Sequence, residues 1–301
     1  MTDRYHTATQ ELHTVLDMVR WGMSQFQEAG LYYGHGTDNG WDDALALVLH
    51  AVHLPHDVKR EIMFANLTLA ERSAIMGLFK WRIEERIPSA YITHQTVFAG
   101  LSFYVDERVL VPRSPLAEII ENLFEPWADP INIHRVLDLC TGSGCIAIAC
   151  AAYLPEVDVD AVDISKDALV VCKQNIQTHE LSSRVNIFEG DLFEPVKGQR
   201  YDIIISNPPY VDAQDLAEMP AEFHHEPRLG LEAGHDGLDI VKRILQHAKD
   251  HLTPEGILIV EVGNSAAALC ERFPEVPFTW VDFQRGGDGV FMLTAAQCQE
   301  L

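Results

Sequence analysis

The sequence is short of positive charge. Of its 301 residues, 22 are Lys or Arg against 45 Asp or Glu, which leaves a formal charge of −23. A protein that grips a nucleic-acid backbone neutralises phosphates with a basic face. The densest positive segment here is Lys80-Trp81-Arg82 with Arg86, so no direct nucleic-acid substrate is expected. A basic protein is the better electrostatic match, because complementary charge speeds encounter. Long apolar runs are missing too. None approaches the roughly 20 residues of a membrane span, and Met1 to Leu12 is polar and acidic rather than basic and then apolar. No membrane partner and a cytoplasmic location are expected. The six cysteines include no Cys-x-x-Cys pair, and a chain able to bury a large core needs no disulfide staples, so reduced, mostly buried thiols are expected. Among the fourteen histidines, His50-x-x-His53 and His224-His225 lack the cysteine or carboxylate companions of a zinc site. No metal is expected.

What is present is enough apolar content, 47%, for one large core and a smaller one, and two domains are the natural division at this length. Leu12, Val15, Leu16, Val19, Met23 and Phe26 recur at helical spacing and predict a helix over Glu11 to Phe26. A second helix is predicted from Trp41 to Val52, and a third from Thr68, where Glu71 completes a capping box and Ile75, Leu78 and Phe79 share a face. Residues 1–88 therefore read as a helical N-terminal domain. From Tyr91 to Val111 the residues turn β-branched and aromatic, punctuated by Gly100, which predicts a β-hairpin linker over 89–111. Pro112-Arg113-Ser114-Pro115 introduces a helix to about Phe124, opening a larger domain, 112–301. Strand-like runs at Arg135–Leu139, Val157–Val162, Arg184–Glu189, Tyr201–Ser206 and Gly256–Val262 alternate with helical ones, the pattern of an α/β fold with a parallel sheet. Phe278–Gln284 and Val290–Thr294 flank a Gly-rich turn and predict an antiparallel last strand.

The chemistry concentrates behind the strand-like runs. Asn207-Pro208-Pro209-Tyr210 follows the fourth one. Consecutive prolines fix φ and remove two backbone donors, which stiffens the loop. A planar amino group attacks an electrophile only when its N–H groups and its plane are held. The Asn207 side-chain oxygen and the Pro208 carbonyl can accept two N–H bonds while the Tyr210 ring lies on the flat face; an ordinary turn is the alternative. Behind the first run, Asp138-Leu139-Cys140-Thr141-Gly142-Ser143-Gly144 is a glycine-rich turn into an apolar helix, where backbone N–H groups can approach a ligand closely. Gly142-x-Gly144-x-x-Ala147 also fits the dinucleotide fingerprint, and Asp163 could hold a ribose hydroxyl in either case. Asp138 favours S-adenosylmethionine, because a carboxylate there suits the cofactor's ammonium and repels a pyrophosphate. Asp191 ends the third run where an adenine amino group could be read, with Leu192 and Phe193 beside it to cover the ring. Asp163 as a helix N-cap and Asp191 as a turn residue are the plain alternatives.

These residues resemble the HemK-type protein glutamine methyltransferases over nearly the whole chain. The branch that modifies large-subunit ribosomal protein L-three is suggested by Arg86-Ile87-Pro88-x-Ala90-Tyr91, by Phe98-Ala99-Gly100-Leu101-x-Phe103-Tyr104-Val105 and above all by Val111-Pro112-Arg113-Ser114-Pro115. The release-factor branch is expected to show Pro-Arg-Pro-x-Thr-Glu at the last of these. Cys140 departs from the glycine of many relatives. The resemblance implies a class I S-adenosylmethionine-dependent methyltransferase with a Rossmann-like seven-stranded sheet. It implies cofactor contacts at Cys140 to Gly144, Asp163, Leu192 and Asn207, and glutamine contacts along Asn207 to Tyr210, with ribosomal protein L-three as partner, possible within an assembly intermediate. Glutamine methylation of class I release factors and adenine amino methylation of nucleic acid are the alternatives within the same chemistry. A nicotinamide-dependent oxidoreductase leaves Asn207 to Tyr210 unexplained, and a non-catalytic ribosome-assembly module leaves the whole cofactor turn idle. Phe98 and Phe103 read as packing, with a wall of the glutamine pocket as the alternative, and His225 to Leu238 as either a lid or a cap on the sheet.

Overall fold

The computed structural model describes residues 4–301, so the first three residues of the 1–88 domain lie outside the described residues. The chain divides into two compact units. One runs to Thr96 and also takes in Pro220–His225; the other holds Val97–Met219 and Glu226–Leu301.

The first unit is built from helices Arg4–Glu11, Val15–Glu28, Gly40–Ala51, Leu69–Glu85 and Ser89–Thr93. Its core gathers Met18, Val19, Phe26, Leu47, Val48, Ile75 and Phe79. Gly22 lets two helices close: a Cβ there would lie 2.5 Å from the Phe79 ring. The helix predicted over Glu11 to Phe26 runs Val15–Glu28, starting four residues late because Glu11 ends a separate helix, Arg4–Glu11. Thr14 caps the second by accepting from the Asp17 N–H at 3.1 Å, and the Asp17 carboxylate accepts from the Thr14 N–H at 2.9 Å. Apolar spacing runs across this break, so periodicity alone does not reveal it. The predicted Thr68–Glu71 box is present. A buried ionic cluster completes the unit. Arg82, 1% exposed, donates from Nε to Asp43 at 2.8 Å and from Nη2 to the Tyr32 carbonyl at 2.9 Å, and its Nη1 lies 3.6 Å from Glu222. Burial pushes the Glu222 carboxyl up, but the Tyr32 N–H, Arg82 and Arg86 more than offset it and hold it below its ordinary value.

Strands β1 (Thr96–Phe98) and β2 (Leu101–Phe103) form the expected hairpin, turned by Ala99 and Gly100, both left-handed. It is shorter than the predicted segment because Ser89–Thr93 is a one-turn helix. In the larger unit, β3 (Arg135–Leu139), β4 (Asp158–Asp163), β5 (Val185–Glu189), β6 (Tyr201–Ser206), β7 (Leu252–Glu261), β8 (Thr279–Trp280) and β9 (Val290–Thr294) make one seven-stranded sheet in the order β5-β4-β3-β6-β7-β9-β8. The first five of these, β3 to β7, pair in parallel, and β9 is antiparallel to both β7 and β8. Successive residues of the central strands face opposite cores, as the period of two requires. Val136, Ile203, Ile205, Ile257 and Ile259 pack with helices Leu116–Glu121 and Cys145–Tyr153. Leu137, Ile204, Leu258 and Val260 pack with helix Asp239–His251. Chain order reverses between β3 and β6, which opens a crevice at the carboxyl ends of the strands, the usual ligand position in such sheets.

Candidate active site

The register places the predicted groups along one edge. Leu139 pairs with Val162 and with Ser206, and Asp163 with Glu189, so Cys140, Asp163, Asp191 and Asn207 follow neighbouring strand ends. The Ser206 hydroxyl donates to the Leu139 carbonyl at 2.8 Å and fastens the central two.

The glycine turn is braced from beneath. Asp138 is fully buried; its Oδ2 accepts from the Thr141 hydroxyl at 2.5 Å and the Ala147 N–H at 3.1 Å, while Oδ1 is buried without a partner. Burial pushes this carboxyl up to about 7. An orphaned carboxylate oxygen beneath the turn fits a cationic group such as the cofactor's ammonium. Thr141 and Ser143 are buried and shape the turn from inside. Asn175, which sequence reasoning missed, locks it: its amide donates to the Ser143 carbonyl at 2.9 Å and exchanges two bonds with the Tyr104 backbone. Gly142 and Gly144 both have positive φ but differ in surroundings. A Cβ on Gly144 would meet the Cys172 Sγ at 2.6 Å, whereas one on Gly142 would enter open space. Cys140, where glycine is the family habit, also has a left-handed φ of 61°, at a cost of about 1–2 kcal/mol for an L side chain. Burial raises its thiol far above the ordinary value, so it is no nucleophile.

Asp163 is not a helix cap; Ser165 takes that place by accepting from the Ala168 N–H. Asp163 instead accepts from the Gly142 N–H and the Ser165 N–H, each at 2.8 Å, and each oxygen keeps a lone pair for a ribose hydroxyl. Asp191 accepts from Arg243 at 2.8 Å with one oxygen, which leaves the other for an adenine amino group. Leu192 is buried beside it. Phe193 does not cover an adenine, because its ring stacks on His251 in the core at 4.6 Å. These groups suit the ammonium, ribose and base of S-adenosylmethionine.

Opposite them stands the Asn207–Tyr210 turn. The half-buried Asn207 amide makes no hydrogen bond to the described residues, and no donor among them reaches the carbonyl of buried Pro208. Pro209 is half-buried between them and Tyr210. Tyr210 is held hard: its hydroxyl donates to Glu261 at 3.0 Å, its carbonyl accepts from the Ser265 hydroxyl at 2.8 Å, and its ring rests on Gly263. After the turn, the stretches on either side of Pro220–His225 brace the larger unit. Val211 exchanges backbone bonds with Leu231 and Ala233. Buried Glu226 accepts from both Arg113 guanidinium N–H groups and from the Val111 N–H at 3.0 Å. Phe98 and Phe103 are core residues, as their reading as packing requires. Among the described residues no cluster of His, Cys, Asp and Glu is placed to hold a metal, and no helix is long and apolar enough to cross a membrane.

Comparison with known proteins agrees with this geometry. Residues 119–226 match the methyltransferase small domain. The chain is 49% identical to the ribosomal protein uL3 glutamine methyltransferase of Francisella tularensis, over 94% of this chain and 90% of that protein. It is also 49% identical to the protein of the same name in Xanthomonas campestris, over 98% and 94%. Among solved structures, the catalytic domain of hMettl16 in complex with the MAT2A 3′UTR hairpin 1 is 20% identical with a TM-score of 0.50, covering 82% of this chain and 89% of that one, a likeness of fold alone. The chain is a class I methyltransferase that takes its methyl group from S-adenosylmethionine, and it belongs to the ribosomal protein uL3 glutamine methyltransferase family.

Proposed function

We propose that this enzyme methylates a glutamine side-chain amide nitrogen of large-subunit ribosomal protein uL3, in the cytoplasm, on the free protein or on an assembly intermediate. The observation that carries the reading is the Asn207–Tyr210 turn at the end of β6 beside the glycine turn, whose Asn207 amide and Pro208 carbonyl have no hydrogen-bond partner among the described residues. When bound, S-adenosylmethionine supplies an electrophilic methyl on a sulfonium. Cys140, Thr141, Gly142, Ser143, Gly144, Asp138, Asp163, Asp191, Leu192 and Asn207 hold it. The Asn207 side-chain oxygen and the Pro208 carbonyl accept the two amide N–H bonds, and the Tyr210 ring supports the amide plane. The glutamine nitrogen lone pair is thereby aimed at the methyl. With the cofactor bound, the methyl would pass from its sulfur to this nitrogen, and these residues leave the amide's displaced proton free to go to water. Positioning supplies most of the acceleration, and no strong base is required.

The helical unit is proposed as the part that recognises uL3. The one segment of sequence resembling a basic patch offers little there for phosphate, since Arg82 is 1% exposed and Arg86 donates to the Ala29 and Gly30 carbonyls. The test is incubation with methyl-labelled S-adenosylmethionine and three acceptors in parallel: uL3, a class I release factor, and adenine-containing oligonucleotides. Label on uL3 alone is expected. Label on the release factor alone moves the substrate to the other branch, and label on the oligonucleotide alone overturns amide methylation.

A further inference from the structure

Glu261 is the one acidic residue in the apolar end of β7, Ile257 to Val262, and it is buried there. A buried carboxylate is costly unless its oxygens are satisfied, and both are. Oε2 accepts from the Ser114 hydroxyl at 2.5 Å and Oε1 from the Tyr210 hydroxyl at 3.0 Å. The two donors are of different origin. Ser114 belongs to the Val111–Pro115 segment and also accepts from the Leu116 N–H, which starts a helix. Tyr210 closes the turn that presents Asn207 and Pro208. No guanidinium or ammonium among the described residues is bonded to Glu261; Arg113, whose charge acts on it, is bonded to Glu226. The carboxylate therefore bridges a helix start and the Tyr210 ring.

We propose that Glu261 is a positioning residue of the methyl-transfer site: anchored by Ser114, it holds the Tyr210 hydroxyl so that the ring stands in one plane beside Asn207 and Pro208. The inference rests on the methyl-transfer reading of that turn. Burial, and then Glu261 itself, raise the Tyr210 hydroxyl well above its ordinary value, so it stays a donor and moves no proton in the reaction. An ionised Glu261 accepts from both hydroxyls. A protonated one must donate to one of them, and the three-part network can no longer keep its arrangement. Burial pushes Glu261 up to about 6; Arg113 works against the rise and Asp288 adds to it, while Arg113 and Glu226 also face Tyr210. Methyl transfer is thus expected to fall as pH drops through about 6.

The test pairs Tyr210→Phe, which keeps the ring and removes only the hydroxyl, with Glu261→Gln and the double variant. In Tyr210→Phe, kcat is expected to fall about 10-fold, with KM for S-adenosylmethionine unchanged, by loss of one charge-assisted hydrogen bond. Adding Glu261→Gln to Tyr210→Phe is expected to lower kcat no further, and at saturating S-adenosylmethionine, where protonation of Asp138 does not limit binding, the low-pH fall of the wild-type kcat is expected to vanish in Tyr210→Phe. A Tyr210→Phe enzyme with wild-type kcat and pH profile overturns the proposal, as does full additivity of the two changes. A second readout needs no acceptor: NMR of protein labelled at the tyrosine ζ-carbon, with the Tyr210 signal assigned by its absence in Tyr210→Phe. That signal should titrate near pH 6 in the wild type and stay flat in Glu261→Gln. A flat wild-type signal overturns the inference about Glu261, whereas absence of label on uL3 with a titrating signal overturns only the choice of acceptor.

Discussion

Adding a single methyl group beneath Tyr210 should disable transfer without unfolding the protein. Gly263 supports the ring: a Cβ there would lie 2.6 Å from Cε2, 2.9 Å from Cζ and 3.1 Å from Cδ2 of Tyr210. Ordinary contact begins at 3.4 Å, so in Gly263→Ala the ring must retreat by about 0.8 Å. A shift of that size lengthens the 3.0 Å bond to Glu261 beyond hydrogen-bond range unless the carboxylate follows, and Ser114 restrains it. Misplacing a positioning group by about 1 Å can cost about 100-fold, and a loss of about 10- to 100-fold in kcat is expected. The left-handed φ of 45° at Gly263 adds about 1–2 kcal/mol of strain, which a thermal melt will register as a modest drop. The decisive assay is steady-state transfer to uL3 alongside calorimetric titration of S-adenosylmethionine. A lowered kcat with near-normal cofactor affinity is expected. A folded Gly263→Ala enzyme with wild-type kcat would refute the idea that the ring's position matters.

Four further variants have expected outcomes. Gly142→Ala places its Cβ in open space at the cofactor turn, so calorimetry should show S-adenosylmethionine affinity down by at least ~10-fold while the fold loses only about 1–2 kcal/mol from strain. Gly144→Ala drives a Cβ into Cys172 and should destabilise more, by about 2–4 kcal/mol in urea unfolding; equal behaviour of the two variants would refute the distinction. Arg82→Met leaves buried Asp43 without its cation and Glu222 with Arg86 alone and should cost about 3–5 kcal/mol in the same assay, with a loss under ~1 kcal/mol counting against the cluster. Asn207→Ala should abolish turnover and leave cofactor affinity largely intact, and loss of cofactor binding in the folded variant would contradict that division of labour.

Much of this was legible in the sequence because the sheet is buried on both faces. Runs such as Val136-Leu137 and Ile203-Ile204-Ile205 then show as continuous apolar stretches, and β3, β6 and β9 start and stop where composition places them. The glycine turn and the Asn207–Tyr210 turn were legible because each needs special backbone chemistry. What stayed hidden depends on distant partners. Glu261 reads as one charge closing a strand until Ser114, 147 residues away in sequence, is brought to it. Asn175 reads as a polar residue on a helix face until it closes on Tyr104 and Ser143. Glu222 belongs to the helical unit although it lies far along the chain. Arg82 looks like part of a surface basic patch, and only the fold reveals that it is spent on Asp43. Phe193 was read as a cover for adenine because sequence adjacency to Leu192 carries no direction; the left-handed φ of 51° at Leu192 precedes a ring that packs in the core instead.

Fragmentation mass spectrometry of uL3 after incubation with S-adenosylmethionine and either the wild-type enzyme or Asn207→Ala tests the central claim most directly. One methyl on one glutamine side chain, with the wild type only, is the expected result. No methyl on any glutamine, or the same methyl from Asn207→Ala, would contradict it.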